Sequence, residues 1–425
     1  MDKICFLIYN IILIPGMFVF LRIIGLFNKK IRKGIIGRKK VYENIIIDAA
    51  KLDKRKKLIW FHSSSMGEFE QAKPIIEKLK SEQDVNILVT FFSPSGYENS
   101  KKYPFADIIS YIPFDTKFNA ERFISIVNPN LAIIMRYDIW PNIIKAISSK
   151  NIPILLVDAT LRHNSLRKSL LLRSFHRTLF NYFTRILTVS ESDAKEFLSL
   201  RVDEKKVRAV GDTRFDRVYQ KSISAKQKNI IKPEILKDKK VFIAGSTWEQ
   251  DEEVIFPAFE KLTKYEKDLI MIVVPHEPSL ITIEKIENYF AKKIKTIRFS
   301  YLNDYQNEQI IIVDSIGILL TLYAYGDVAF VGGSFKQNVH NVLEAAVYGI
   351  PVIFGPKIHN SQEAKALANS GGGIIIKNKK DAYRTLRTLF QNDEIRKQKG
   401  QIAYEFVNKN IGATQKIIQE IYNYL

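Results

Sequence analysis

A single cysteine, Cys5, in 425 residues excludes any disulfide within the chain and any cysteine-built zinc site. Three motifs are also missing: a Gly-x-x-x-x-Gly-Lys-Ser/Thr loop, a His-Glu-x-x-His helix and a Gly-x-Ser-x-Gly turn. P-loop nucleotide hydrolysis, zincin-type proteolysis and α/β-hydrolase chemistry therefore have nothing to rest on. There is no low-complexity tract and no obvious internal period, which argues against a disordered tail or a solenoid. Acidic residues are scarce beside basic ones: 45 Asp and Glu against 65 Lys and Arg leave a net charge of +20. Such a surface attracts anions, and nucleic acid, anionic lipid and a phosphorylated substrate compete for it, alongside a plain solubility bias.

What is present points to a folded chain. Hydrophobic residues make up 46% of it, enough for substantial cores, and the length exceeds one ordinary core, so two globular domains are expected. The first apolar run extends from Ile4 to Phe27, interrupted by Asn10, Pro15-Gly16, Arg22 and Gly25. It is long enough to cross a bilayer as a helix. Lys29, Lys30, Arg32, Lys33, Arg38, Lys39 and Lys40 follow it, a flank that holds the carboxyl side in the cytoplasm. No small-residue cleavage site precedes that flank. Residues 1–30 are thus expected to be an uncleaved membrane anchor. It either spans the bilayer or lies in one leaflet with Arg22 snorkelling to the headgroups. A buried helix of the first domain is the competing reading.

From Arg55 onward, short apolar runs alternate with helical patterns. Leu58–Phe61, Val85–Phe92, Ile108–Phe114, Leu131–Met135, Ile152–Val157, Arg185–Val189 and Val207–Val210 read as parallel strands covered on both faces. A polar, lysine-rich stretch containing Pro233 reads as a linker over 221–239. A second strand set follows: Val241–Ala244, Leu269–Val274, Ile310–Val313, Val328–Val331, Val352–Phe354 and Gly373–Ile376. The expected organisation is an N-terminal domain over 31–220 and a C-terminal domain over 240–425, whose last helical run crosses back to the first. This is an α/β fold of two Rossmann-like domains facing a cleft, the glycosyltransferase B architecture, with ligand sites at the carboxyl ends of the strands.

Polar motifs stand at those strand ends. His62-Ser63-Ser64-Ser65-Met66-Gly67-Glu68-Phe69 opens a helix after the first strand. Glu68 there is either a general base for an acceptor hydroxyl or a first-turn residue complementing the helix dipole. In Arg136-Tyr137-Asp138-Ile139-Trp140-Pro141-Asn142, Pro141 suits a helix start. Asp138 lies at the cleft edge or simply serves that helix entry. Gly211-Asp212-Thr213-Arg214-Phe215-Asp216 offers Arg214 either to a leaving phosphate or to an ion pair with Asp216. In the second domain the strand ends carry Gly245-Ser246-Thr247, Val274-Pro275-His276, Asp314-Ser315-Ile316-Gly317, Gly332-Gly333-Ser334 and Asn338 to Ala346. The two glycine–serine turns read as anion-binding backbone, the second as a phosphate cradle. Glu344 is placed to meet a ribose hydroxyl. Taken in order, these pieces indicate a nucleotide site. No metal is assigned.

With these motifs in view, the sequence resembles the 3-deoxy-D-manno-octulosonic acid (Kdo) transferases of lipid A assembly. The most specific marks are Ser65-Met66-Gly67-Glu68, Trp140-Pro141-Asn142, Gly211 to Asp216 and His340-Asn341-Val342-Leu343-Glu344. The resemblance implies inverting transfer of Kdo from CMP-Kdo to the 6′-hydroxyl of a tetraacylated, bisphosphorylated disaccharide lipid. It implies Glu68 as proton acceptor and Asp138 and Arg214 as stabilisers of the transition state. CMP contacts carry over to Pro275 and His276, to Ile316, Gly317 and Ile318, and to Asn341, Val342, Leu343 and Glu344. The implied partners are CMP-Kdo as donor substrate with no separate cofactor, a phosphorylated lipid A precursor and the anionic cytoplasmic leaflet of the inner membrane, and no nucleic acid.

The sequence departs from the family pattern in places. Arg136-Tyr137-Asp138 stands where Glu-Thr-Glu is frequent, His276 where an Arg is usual, Ile318 where an acid is usual, and Val342 where a Pro is usual. The basic stretch Arg162, His163, Arg167, Lys168, Arg173, His176 and Arg177 suits lipid phosphates or is a solvated helix face. Competing readings of the whole are a membrane-associated transferase using a UDP-sugar and a basic, non-catalytic membrane- or nucleic-acid-binding protein.

Overall fold

The computed structural model describes residues 2–169 and 172–425. The chain forms two compact units, one comprising residues up to Arg217 with Gly412–Leu425, the other Val218–Ile411. In the first unit the strands are β1 Leu58–Ser63, β2 Asn86–Phe91, β3 Ile108–Tyr111, β4 Leu131–Met135, β5 Ile154–Ala159, β6 Arg185–Thr188 and β7 Val207–Ala209. They pair in the order β3-β2-β1-β4-β5-β6-β7, all parallel. The second unit holds β8 Lys240–Thr247, β9 Leu269–Pro275, β10 Thr296–Arg298, β11 Ile310–Ile312, β12 Val328–Val331, β13 Val352–Phe354 and β14 Gly373–Ile375. Their order is β10-β11-β9-β8-β12-β13-β14, again parallel. These are the two doubly wound α/β units expected from the strand pattern. The edge strand β10 was not expected, because its three residues carry one buried side chain, Ile297, and no apolar run.

Burial on both faces explains the apolar strands. Along β1, Trp60 joins one core with Leu88, Phe123 and Ile134, while Ile59 and Phe61 join another with Phe69, Val89 and Ile133. The strand's alternation thus sends successive side chains into opposite layers. The second of these cores also takes Ile417, Ile418 and Ile421 of the terminal helix Ala413–Tyr422. Asp216 anchors that helix by accepting from Gly412 N and Thr414 N, both at 2.6 Å.

The expected linker over 221–239 needs correction. One helix, Thr213–Lys226, runs through the division between the units, and a short helix forms at Pro233–Leu236. Ile231 and Ile235 are buried, so this stretch is part of the second unit's packing.

The N-terminal apolar segment is helical from Ile4 to Phe27, with one π-turn at Tyr9–Leu13 just before Pro15. A narrow face rests on the first unit. Phe6 meets Phe175 edge-on at 5.2 Å and Phe18 meets Phe114 at 5.4 Å. Tyr9 Oη donates to Asp115 at 2.7 Å, and Asn142 Nδ2 donates to Asn10 at 2.8 Å. The opposite face, with Leu7, Ile11, Phe20, Leu26 and Phe27, is exposed. A core helix would be buried all round, and this one is not.

Candidate active site

In a doubly wound sheet the ligand crevice lies where strand order reverses. In the first unit that point falls between the neighbours β1 and β4. β1 runs directly into the Ser64-Ser65 turn and the helix Met66–Glu82, and β4 runs into Arg136-Tyr137-Asp138. Topology alone therefore brings Glu68 and Asp138 to one place.

Glu68 is only 7% exposed. Its Oε2 accepts from Ser64 N at 2.6 Å and Ser65 N at 3.3 Å. This is the reciprocal half of a capping box, so the helix-start role is real. The same bonds fix the carboxylate in position, and its Oε1 makes no protein hydrogen bond among the described residues. Burial, and then the charge of Asp138, push its proton affinity above the usual carboxylate range.

Asp138 Oδ2 accepts from His62 Nε2 at 2.7 Å and from Trp140 Nε1 at 3.1 Å. Burial works to raise the Asp138 pKa, but the hydrogen bond and charge of His62, with the Trp140 hydrogen bond, outweigh it and hold the carboxyl below its ordinary value. Two neighbouring carboxylates thus have proton affinities driven apart, the pattern that separates a proton acceptor from a fixed charge. Arg136 leads into this loop with a left-handed φ of 61°.

Arg214 enters from β7, three strands beyond β4. Its Nε lies 2.9 Å and its Nη2 2.6 Å from Asp212 Oδ2. The expected alternative pairing of Arg214 with Asp216 is corrected, since Asp216 caps the terminal helix instead. Sequence reading missed Asp158 and Asp115 here and gave His62, though part of its first motif, no role. Asp158 is fully buried and accepts from Thr213 N at 3.2 Å and from its hydroxyl. Burial pushes its carboxyl upward and the Asp212 charge adds to this. Asp115 accepts from Asn142 N at 3.0 Å and Ile143 N at 2.9 Å, anchoring the Trp-Pro-Asn helix. His62 is buried beneath Asp138. A charged residue between apolar neighbours inside a strand was the available signal for Asp158 alone; His62 lies between Phe61 and Ser63, and Asp115 between Phe114 and Thr116.

In the second unit, strand order reverses between β8 and β12. Pro275 and His276 end β9, while Ile316, Gly317 and Ile318 follow β11. Asn341, Val342, Leu343 and Glu344 follow β12. All these segments leave the same edge of four adjacent strands, β11-β9-β8-β12. Ile316 is exposed and Gly317 holds a left-handed φ of +87°. Asn341 Nδ2 donates to Glu344 at 3.1 Å, and Asn341 Oδ1 accepts from Leu343 N at 3.2 Å. The rings of Trp248, His276 and His340 form a stack. His276 lies 4.6 Å from Trp248 and 4.3 Å from His340, and Lys336 Nζ sits 3.2 Å above the Trp248 ring.

Two readings of this edge are overturned. The Gly332-Gly333-Ser334 turn is not an open phosphate cradle. Asp251 accepts from Gly333 N at 2.7 Å and Phe335 N at 3.2 Å, while Gly332 N donates to Gly245 O at 2.8 Å. Asp251 therefore does more than complement its own helix start. Gly245 belongs to β8 and is small for a packing reason, because a Cβ there would lie 2.1 Å from Tyr323 Oη. Among the described residues no group of three potential metal ligands occurs.

Comparison with known proteins follows the same lines. A sequence model described as 3-deoxy-D-manno-octulosonic-acid transferase (kdotransferase) matches residues 38–217. A 3-deoxy-D-manno-octulosonic acid transferase of Aquifex aeolicus is 31% identical over 338 residues, covering 78% of this chain and 85% of that protein. One from Haemophilus influenzae is 28% identical over 379 residues, covering 86% and 87%. Among solved structures, a UDP-GlcNAc 2-epimerase of Neisseria meningitidis bound to UDP-GlcNAc superposes with a TM-score of 0.60 at 14% identity. It covers 87% of this chain and all of that one. A glycosyltransferase from Rickettsia africae gives a TM-score of 0.56 at 14% identity, covering 87% and 98%. At that identity the structural likeness speaks for the two-unit fold alone.

Proposed function

The chain belongs to the 3-deoxy-D-manno-octulosonic acid transferase family, and on that premise we propose that it moves Kdo from CMP-Kdo to the 6′-hydroxyl of a tetraacylated, bisphosphorylated lipid A precursor with inversion. The coarser statement, a Kdo glycosyltransferase of lipopolysaccharide biosynthesis, follows from the family itself. What supports the transfer chemistry of the finer reading is the pair of carboxylates at the β1/β4 reversal, Glu68 held by the Ser64 and Ser65 amides and Asp138 held by His62 and Trp140.

Glu68 takes the acceptor hydroxyl proton as that oxygen bonds to the anomeric carbon of Kdo. The bond from that carbon to the CMP phosphate oxygen breaks, and CMP leaves with the electron pair. Asp138 stays ionised and favours positive character developing at the sugar. Arg214 offsets negative charge on the departing phosphate. The nucleotide is bound by Pro275, His276, the 316–318 backbone and the 341–344 turn. Neither a cofactor nor a metal takes part, since CMP leaves with a single phosphate and no diphosphate needs bridging.

The membrane is the second partner. The N-terminal helix is long and apolar enough to cross a bilayer. Tyr9 and Asn10, in the middle of its first half, are nevertheless bonded to Asp115 and Asn142 of the globular unit. This supports a segment lying along the unit with its bare face in the cytoplasmic leaflet. The exposed lysines that follow it face anionic headgroups.

The test is incubation with CMP-Kdo and the tetraacyl acceptor, read by mass spectrometry. A gain of one or more Kdo masses is expected from the native protein. No gain, or an equal gain from UDP-sugars, would overturn the reading.

A further inference from the structure

His62 has no assigned role, yet it is fully buried and both of its ring nitrogens are engaged. Nδ1 lies 2.9 Å from Thr90 Oγ1, and Nε2 lies 2.7 Å from Asp138 Oδ2. The direction of this chain is set at its far end. Trp60 Nε1 lies 2.8 Å from Thr90 Oγ1, and an indole N–H can only donate. Thr90 accepts from Trp60, and because its hydroxyl has no other partner among the described residues, donation to Nδ1 is the arrangement that also satisfies its own proton. Nδ1 then accepts, and the ring proton resides on Nε2, aimed at Asp138. Trp60 and His62 lie on β1 and Thr90 on β2, where His62 and Thr90 are direct cross-strand partners.

We propose that His62 is a positioning residue which, in the tautomer bearing its proton on Nε2, holds Asp138 ionised and so makes Glu68 the carboxylate of the pair that takes the acceptor proton. The geometry carries this. Asp138 receives its shortest side-chain hydrogen bond from His62, and Glu68 answers to the Asp138 charge. The other charged groups felt by the pair are Arg136 in the same loop, Arg38 of the helix Lys29–Lys39, Arg167, and Asp115. The observed hydrogen bonds of Arg38 and Arg167 go to backbone carbonyls, and those of Asp115 come from Tyr9 and from the backbone of Asn142 and Ile143. The proposal rests on the assignment of Glu68 and Asp138 above, and its first test does not depend on activity.

That test is ring-nitrogen NMR of histidine-labelled protein, with His62 identified by the loss of its signals in His62→Asn. A protonated Nε2 and an unprotonated Nδ1 are expected near neutral pH. A protonated Nδ1, in either the other tautomer or an imidazolium, overturns the proposal whatever the enzyme transfers. The second test is a double-mutant cycle on kcat/KM against pH, with CMP binding as the check on folding. His62→Asn is expected to lower kcat on the order of tenfold, as loss of a group orienting a functional side chain does, with KM for CMP-Kdo little changed. It should move the acid limb to lower pH, as Asp138→Asn does. Adding His62→Asn to Asp138→Asn should then change nothing further. Equal, additive losses in both backgrounds would mean that His62 only supports the strand, and would overturn the proposal. An unchanged profile in Glu68→Gln would count against Glu68 instead, while leaving the NMR result standing.

Discussion

The two units place their polar motifs at the same topological position, the reversal between the first strand and the fourth or fifth, and fill it in opposite ways. At β1/β4 the groups are side chains: Glu68, Asp138 and the buried His62, tied to one another and to backbone amides. At β8/β12 the corresponding turn is closed by Asp251, and what remains is a ring stack and an exposed loop at Ile316 and Gly317. A crevice that must move a proton needs carboxylates whose affinities differ. A crevice that must recognise a nucleotide needs flat surfaces and fixed amides. The same fold supplies either, because the position belongs to the topology while the chemistry belongs to the loop.

The sharpest way to break this contrast is Glu68→Gln. Loss of a general base costs roughly 10²- to 10⁴-fold in rate, so kcat should fall by that order while CMP affinity, which the proposed function assigns to the second unit, stays unchanged in titration calorimetry. Comparable losses in both would show that the division of labour is wrong. Asp251→Ala should do the reverse. It strands buried amides at Gly333, Phe335 and Trp248, each worth about 1–3 kcal/mol when left unpaired, so thermal melting should report a large destabilisation and CMP binding should weaken.

A smaller effect is expected for Gly245→Ala, where overpacking against Tyr323 costs about 1–3 kcal/mol. Removing the hydroxyl with Tyr323→Phe should relieve part of it, since the clash begins at Oη. An undiminished penalty would place the strain in the β8 backbone instead. The subtlest change is in pH dependence. The raised proton affinity of Glu68 makes kcat/KM fall as pH drops through a value above the ordinary glutamate range. Asp138→Asn removes a like charge, so Glu68 releases its proton more easily and this limb should move to lower pH. Movement to higher pH would deny the coupling.

Much of this architecture is legible in the chain, and the reasons are local. The strands β1, β4, β9 and β12 are continuous apolar runs because both their faces are covered. Glu68 stands out because a helix N-cap, Ser65, stands three residues before it. The failures are equally instructive. The Gly332-Gly333-Ser334 turn looked open because nothing in its own sequence reports that Asp251, some eighty residues earlier, would fold onto its amides. The alternative reading of Arg214, an ion pair with Asp216, named the wrong aspartate, since Asp216 turns out to be engaged by a helix that begins at Ala413. Asp158 and Asp115 were overlooked, and His62 was given no role, because a buried polar residue acquires its meaning from partners distant in sequence.

By itself, then, the order of residues determined the alternation of strand and helix, the apolar N-terminal segment with its basic flank, and the strand ends where chemistry gathers. These depend on periodicity and on neighbours within a few residues. Only the tertiary structure decided which amides are already engaged, which carboxylate binds a proton more tightly, and which face of the N-terminal helix is bare. Those properties arise from desolvation and from hydrogen bonds between segments, and a linear pattern carries neither.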